Sequence, residues 1–237
     1  MRSTSAFCAI LFGLLACTAT KTNAQIVEYA YEAVVTEVEE EVGSSFAAVQ
    51  LGDTITGSLR YDLGLPDFDP FMSIGQYRPA GSEKLLSGKI DLQGGQSIVM
   101  SADPSQQGSV IVADNISGPP LIGPNYDVIS AAQGVLIEGG GGATLVLDLL
   151  SSLGQHGTDG PFTSDELPEE LMLEDFQSPP GTPEFLASGA TVFVRRSFSA
   201  DIVSLTRVVP EPHGASLLVV ALLGTQRWRL QHARSTA

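Results

Sequence analysis

Val27-Glu28-Tyr29-Ala30-Tyr31-Glu32-Ala33-Val34-Val35-Thr36 is the stretch that decides the fold class. Val27, Tyr29, Tyr31, Ala33 and Val35 fall on one side of a period of two, with Glu28, Ala30, Glu32, Val34 and Thr36 on the other. Successive side chains of a strand point to opposite faces, so the stretch predicts a half-buried β-strand. Ile55, Gly57, Leu59 and Tyr61 repeat the pattern against Thr54, Thr56, Ser58 and Arg60. Working outward, further strands are expected at 84–92, 97–101, 109–113, 126–130, 134–138, 143–150, 190–198 and 201–208. Turn chemistry separates them: Gly94-Gly95, Asp103-Pro104, Gly118-Pro119-Pro120 and the glycines at 139–142. Many short strands with few helical signals predict an all-β domain, an antiparallel β-sandwich or jelly roll. Residues 165–174 predict one helical turn or a short helix. The acidic run 37–41 reads as a solvated strand end and loop.

The chain has 237 residues, enough for one medium domain or two small ones. Residues 25–209 hold 26 acidic and 7 basic side chains, a formal charge of −19. Such a surface repels phosphate backbones, so no nucleic-acid partner is expected. Hydrophobic residues make up 43% of the chain, which suffices for a packed core. Both cysteines, Cys8 and Cys17, precede residue 25, so residues 25–209 carry no disulfide, thiolate zinc site or cysteine nucleophile. His156 is the one histidine of that region. It lies in a glycine-rich stretch near Ser151, Ser152 and Asp159, without a nucleophile elbow, and reads as a loop histidine. No catalytic residue is nominated, no enzyme activity is expected, and no cofactor is expected.

Asp62, Asp67 and Asp69 form the one candidate metal site, for calcium, because loop carboxylates and free carbonyls suit a hard cation. The EF-hand spacing is absent, and solvated turn aspartates are the competing reading. Carboxylate pairs for glycoside hydrolysis arise anywhere among so many acids, so none is singled out. The region has no tryptophan, and Tyr29, Tyr31 and Tyr61 fall on apolar strand faces, which favours packing over sugar stacking.

The two ends read differently. Residues 1–24 predict a signal helix: Arg2, an apolar run over 6–16 too short to span a bilayer, and Ala24 before a cleavage point. Leu14-Leu15-Ala16-Cys17 resembles a bacterial lipobox, a competing processing site that would leave Cys17 lipidated. Pro210-Glu211-Pro212 breaks regular structure, since each proline fixes φ and lacks an N–H. Beyond it, Ala215, Leu217, Leu218 and Leu222 belong to an apolar helix over 215–225, followed by Arg227, Trp228, Arg229 and Arg234. Tryptophan and arginine at one end suit a membrane interface on its positive-inside side. The helix rises about 16 Å against about 30 Å of hydrocarbon, so snorkelling arginines would have to lengthen it.

Val209-Pro210-Glu211-Pro212, an apolar helix and a terminal arginine cluster, in that order, resemble the bacterial PEP-CTERM sorting signal. The resemblance implies an exported substrate whose tail is recognised and removed by an exosortase, a membrane transpeptidase-like enzyme, in bacteria that make extracellular polymeric substance. The stretch Gly52-Asp53-Thr54-Ile55-Thr56-Gly57-Ser58-Leu59-Arg60-Tyr61-Asp62 is similar to one in a set of PEP-CTERM proteins of unknown function. Softer matches are Val112-Ala113-Asp114-Asn115, Tyr126-Asp127 and Ser164-Asp165-Glu166-Leu167-Pro168. That resemblance implies a β fold and surface export and carries no activity with it. The expectation is an exported, non-enzymatic protein of the cell envelope or extracellular matrix, transiently anchored in the membrane. Its expected partners are an exosortase-like enzyme, the membrane and extracellular polysaccharide. The alternative is an extracellular calcium- or carbohydrate-binding module.

Overall fold

A computed structural model describes residues 25–39, 45–69, 74–79, 84–116, 126–138, 141–152, 161–162, 164–178 and 188–209. The expectations on the terminal helices, Cys17, His156, the Pro210-Glu211-Pro212 motif and the anchor from Ala215 to Arg229 lie outside these residues. The described strands are β1 (Ile26–Val38), β2 (Thr54–Asp62), β3 (Ile74–Tyr77), β4 (Leu86–Asp91), β5 (Ser97–Ala102), β6 (Ser109–Ile116), β7 (Tyr126–Ile137), β8 (Gly142–Ser152), β9 (Gly189–Val194) and β10 (Phe198–Arg207). All pairings are antiparallel. Of the helical turn or short helix expected at 165–174, the structure holds a single 3-10 turn at its C-terminal end, Leu173–Phe176.

The strands close on themselves. Pairing runs β1–β2–β4–β5–β7–β8–β9–β10 and returns to β1, an eight-stranded barrel. β5 and β6 follow one another along the same edge of β7, and β3 extends the sheet from β6 as a flap. The all-β, antiparallel expectation is met. The two-layer sandwich or jelly roll is not what the pairing traces, because a period of two marks a strand with one covered face and leaves open how that face is covered. Closure needs tilted, bent strands. β1 supplies bends through register shifts at Glu32/Ala33 and Val35/Glu37. The strands expected at 126–130 and 134–138 are one continuous β7, and β3 had no counterpart in the sequence reading.

The inward face is the apolar one. Val27, Tyr29, Tyr31, Ala33 and Val35 of β1 are buried, as are Ile55, Leu59 and Tyr61 of β2, Leu86 and Ile90 of β4, and Leu145, Leu147 and Leu149 of β8. Each buried valine, leucine or isoleucine among them contributes about 1.5–3 kcal/mol by leaving water. The outward face carries Glu32, Arg60, Lys89, Asp91 and Asp201, all exposed, and the half-buried Glu28. This is the inverse of a membrane barrel, whose outer band is apolar. Inside, Tyr31 sits opposite Gly57, which sits opposite Gly88. Its hydroxyl donates to the Ser87 carbonyl at 2.9 Å across the space the two glycines leave.

Both barrel ends are covered. At one, Phe46 packs edge-on against Phe198 with centroids 5.4 Å apart. Buried Asp53 ties that end together: Oδ2 accepts from the Gln50 amide at 2.8 Å and Oδ1 from the Gln93 amide at 3.0 Å. At the other end, residues 161–162 and 164–178 pass across the barrel, where Phe162, Leu167, Leu171 and Phe176 are buried. We refer to 164–178 as the strap.

Candidate functional site

Three inward tyrosines hold the strap by its main chain. The Tyr77 hydroxyl, on β3, donates to the Asp165 carbonyl at 2.8 Å. Tyr61, on β2, donates to the Pro168 carbonyl at 2.8 Å. Tyr29, on β1, accepts from the Leu171 amide at 2.7 Å and donates to the Glu169 carbonyl at 3.4 Å. A phenol inside an apolar barrel must find a partner for its hydroxyl, and the strap supplies one for each of these. Burial is the main force raising all three hydroxyl pKa values above the ordinary 10. Tyr77 is pushed to about 12, with the carboxylates of Asp67, Asp165 and Glu166 adding to the effect of burial.

Beside Tyr77 lies a cleft of about 510 Å³, lined by Leu63, Leu65, Asp67, Tyr77 and the strap residues Asp165, Glu166, Leu167 and Glu169. One wall comes from the loop after β2, the other from the strap. The carboxylates make it a cation-favouring groove. Gly75 is required where β3 meets the strap, because a Cβ there would run into the Asp165 carbonyl and the Tyr77 ring.

Of the aspartates singled out from sequence, Asp62 ends β2, and Asp67 and Asp69 lie on that loop. Asp62 Oδ1 accepts from the Gly64 amide at 2.9 Å. Asp67 Oδ1 accepts from the amides of Asp69 and Gln76, both at 2.8 Å, and so joins the loop to β3. These are the side-chain-to-backbone bonds by which aspartate shapes turns. Among the described residues no three His, Cys, Asp or Glu side chains converge as a metal-binding group. Asp67 alone of the three lines the cleft.

Two buried polar groups were not nominated from sequence. Asp127 is fully buried on the inward face of β7, and its Oδ2 accepts from the Phe162 amide at 3.1 Å. Ser151, on β8, is its register partner, and the Ser151 Oγ has no hydrogen-bond partner among the described residues. On the outward face of β8, burial holds the Asp148 carboxyl above its ordinary pKa, against an opposing hydrogen bond from Ser130. Alternation could have placed Asp127 inward, since Asp127, Ile129 and Ala131 share one parity. The tyrosine latch had no such signal, because parity assigns the ring to a face and says nothing of the hydroxyl.

Compared with family models, with curated proteins and with solved structures, the chain gives no match in any of the three.

Proposed function

We propose that the chain is an exported, non-enzymatic protein of the bacterial cell envelope or extracellular matrix, a barrel domain sorted by a C-terminal signal of PEP-CTERM type. The observation that carries this reading is the order Pro210-Glu211-Pro212, apolar run, Arg227, Trp228, Arg229 directly after the last strand. The way the barrel ends supports it: β10 stops at Arg207, and Val208 and Val209 are exposed, Val209 at 76%. Prolines cannot be absorbed into a ladder, which favours a motif that a processing enzyme can reach. In this reading the apolar helix rests in the membrane before processing, with its arginines on the cytoplasmic side. An exosortase-like enzyme then separates the barrel from it. Intact-mass measurement of the secreted form tests the reading. A mass ending near residue 209, lost in Glu211→Ala, is expected; a mature mass that still includes Arg234 would end it.

A second reading, an extracellular module for calcium or carbohydrate, is favoured by Phe68. This ring is 59% exposed between Asp67 and Asp69, on the loop that walls the acidic cleft. An exposed aromatic face beside carboxylates is a surface on which a sugar can stack. Calorimetry against calcium and a glycan panel separates the two readings. Heat of binding abolished by Phe68→Ala or Asp67→Asn would favour the second.

A further inference from the structure

β8 and β9 form a paired hairpin whose register ends at Leu150↔Gly189. A turn of about two to five residues would join such neighbours. Residues 153–188 intervene instead. Connections longer than about 12–15 residues are uncommon in a compact fold and usually serve a function. The centre of this one is the strap, which belongs to no strand. It is met by side chains from three different strands.

What those side chains touch is informative. The four bonds from Tyr29, Tyr61 and Tyr77 all end on main-chain atoms: the carbonyls of Asp165, Pro168 and Glu169 and the amide of Leu171. None reads a side chain of the strap. The strap side chains that enter the barrel are Leu167 and Leu171, four residues apart, and then Phe176, all buried. Main-chain bonds for affinity and apolar pockets for selectivity are how grooves bind extended peptides. The charges agree. The strap carries Asp165, Glu166, Glu169, Glu170, Glu174 and Asp175 and no basic residue. Arg207, on β10, is the register partner of Tyr29, which sets a cation beside the tyrosines that hold the strap.

We propose that this end of the barrel is a peptide-binding groove occupied in cis by the chain's own strap, and that an acidic peptide with leucines four residues apart displaces the strap in trans. The cis strap then acts as an autoinhibitory segment. A guest binds only as far as its contacts exceed those of a competitor that is covalently attached and therefore at high effective concentration. Weakening the strap, and not the groove, exposes the site.

Leu167→Ala with Leu171→Ala in the full chain does this, leaving every tyrosine in place. A fluorescein-labelled synthetic peptide of residues 161–178 is titrated against it by anisotropy. Saturable binding at least about tenfold tighter than to the unaltered chain is expected, since truncating two buried leucines weakens the cis competitor by more than that. The unlabelled peptide bearing both alanines should fail to compete. Hydrogen exchange on the unaltered chain gives an independent reading. Strap amides, that of Leu171 included, should exchange by local opening, faster than the amides of β1 and β2. Two results overturn the proposal: no saturable binding to a variant whose β1 and β2 amides stay protected, or strap amides that exchange only as slowly as the barrel.

Discussion

Gly57 and Gly189 are both strand glycines, and the space beside each differs completely. A Cβ on Gly57 would overlap the Ser87 carbonyl and the Tyr31 hydroxyl, both held by the bond between them, whereas among the described residues nothing lies within 4 Å of a Cβ on Gly189. Gly57→Ala should therefore cost about 1–3 kcal/mol of overpacking. Gly189→Ala should be neutral or stabilise by about 0.4–1 kcal/mol through the unfolded chain. Denaturant midpoints of the two variants check the contrast. Asp53 makes a second test, because its two oxygens satisfy two main-chain amides from a site 1% exposed. Asp53→Ala leaves the Gln50 and Gln93 amides without acceptors, and a loss of about 2–3 kcal/mol is expected in the same assay. Residue-level roles were only half legible in the sequence. Parity placed Tyr29, Tyr31 and Tyr61 inside, where they are, but the hydroxyl partners come from segments as far away as Glu169 and Leu171. No local pattern encodes a contact across that separation.

At the scale of elements, the long alternating stretches were read well and the short or interrupted ones poorly. β1 and β2 match the sequence reading within a residue or two. β3 is only Ile-Gly-Gln-Tyr, too short for a period to show. The sequence expectation leaves a gap in β7 at Ala131-Ala132-Gln133, which are weak strand formers. Tertiary contacts override that weakness: Gln133 is buried and bonds Gly134 and Gln106, and the bare Gly134 backbone is where the Gln106 side chain packs. Residues 165–174 predict one helical turn or a short helix, and the structure holds a single 3-10 turn at Leu173–Phe176, the rest of the strap being held along the barrel end by the tyrosines. That latch makes the element sensitive to alkali. The folded state favours the neutral phenol, so each raised pKa contributes stability that is complete below pH 10 and is lost as pH rises through the folded value. Tyr77 defines a window from 10 to about 12, and Tyr29, Tyr31 and Tyr61 are shifted in the same direction. Absorbance at tyrosinate wavelengths and circular dichroism followed from pH 9 to 12 should change together, with ionisation delayed beyond that of free tyrosine. Normal ionisation with the fold intact would remove the latch from the account.

For the whole molecule, closure is what the sequence could not disclose. Ring formation depends on β1 pairing with β10 and β7 with β8, registers set between strands whose individual patterns would equally serve two stacked sheets. Charge, by contrast, is fully legible and acts at this scale. Residues 25–209 carry −19, and six acids lie within 165–175 alone. Among the described residues one salt bridge is formed, between Lys89 and Asp91, both about half exposed, and exposed pairs contribute little. The folded barrel therefore compresses a large like charge, and self-repulsion opposes the compact state. Salt should relieve it. The Debye length falls from about 30 Å at 0.01 M to about 8 Å at 0.15 M, so repulsion between exposed charges farther apart than that is largely screened. If screening recovers about 1–2 kcal/mol, the melting temperature should rise by roughly 2–8 °C over that range in a domain of this size. The rise should level off near 0.3 M and be equal for chloride and thiocyanate, because screening depends on ionic strength and not on the identity of the ion. A melting temperature indifferent to salt below 0.15 M would mean that the acids are already compensated in the folded state.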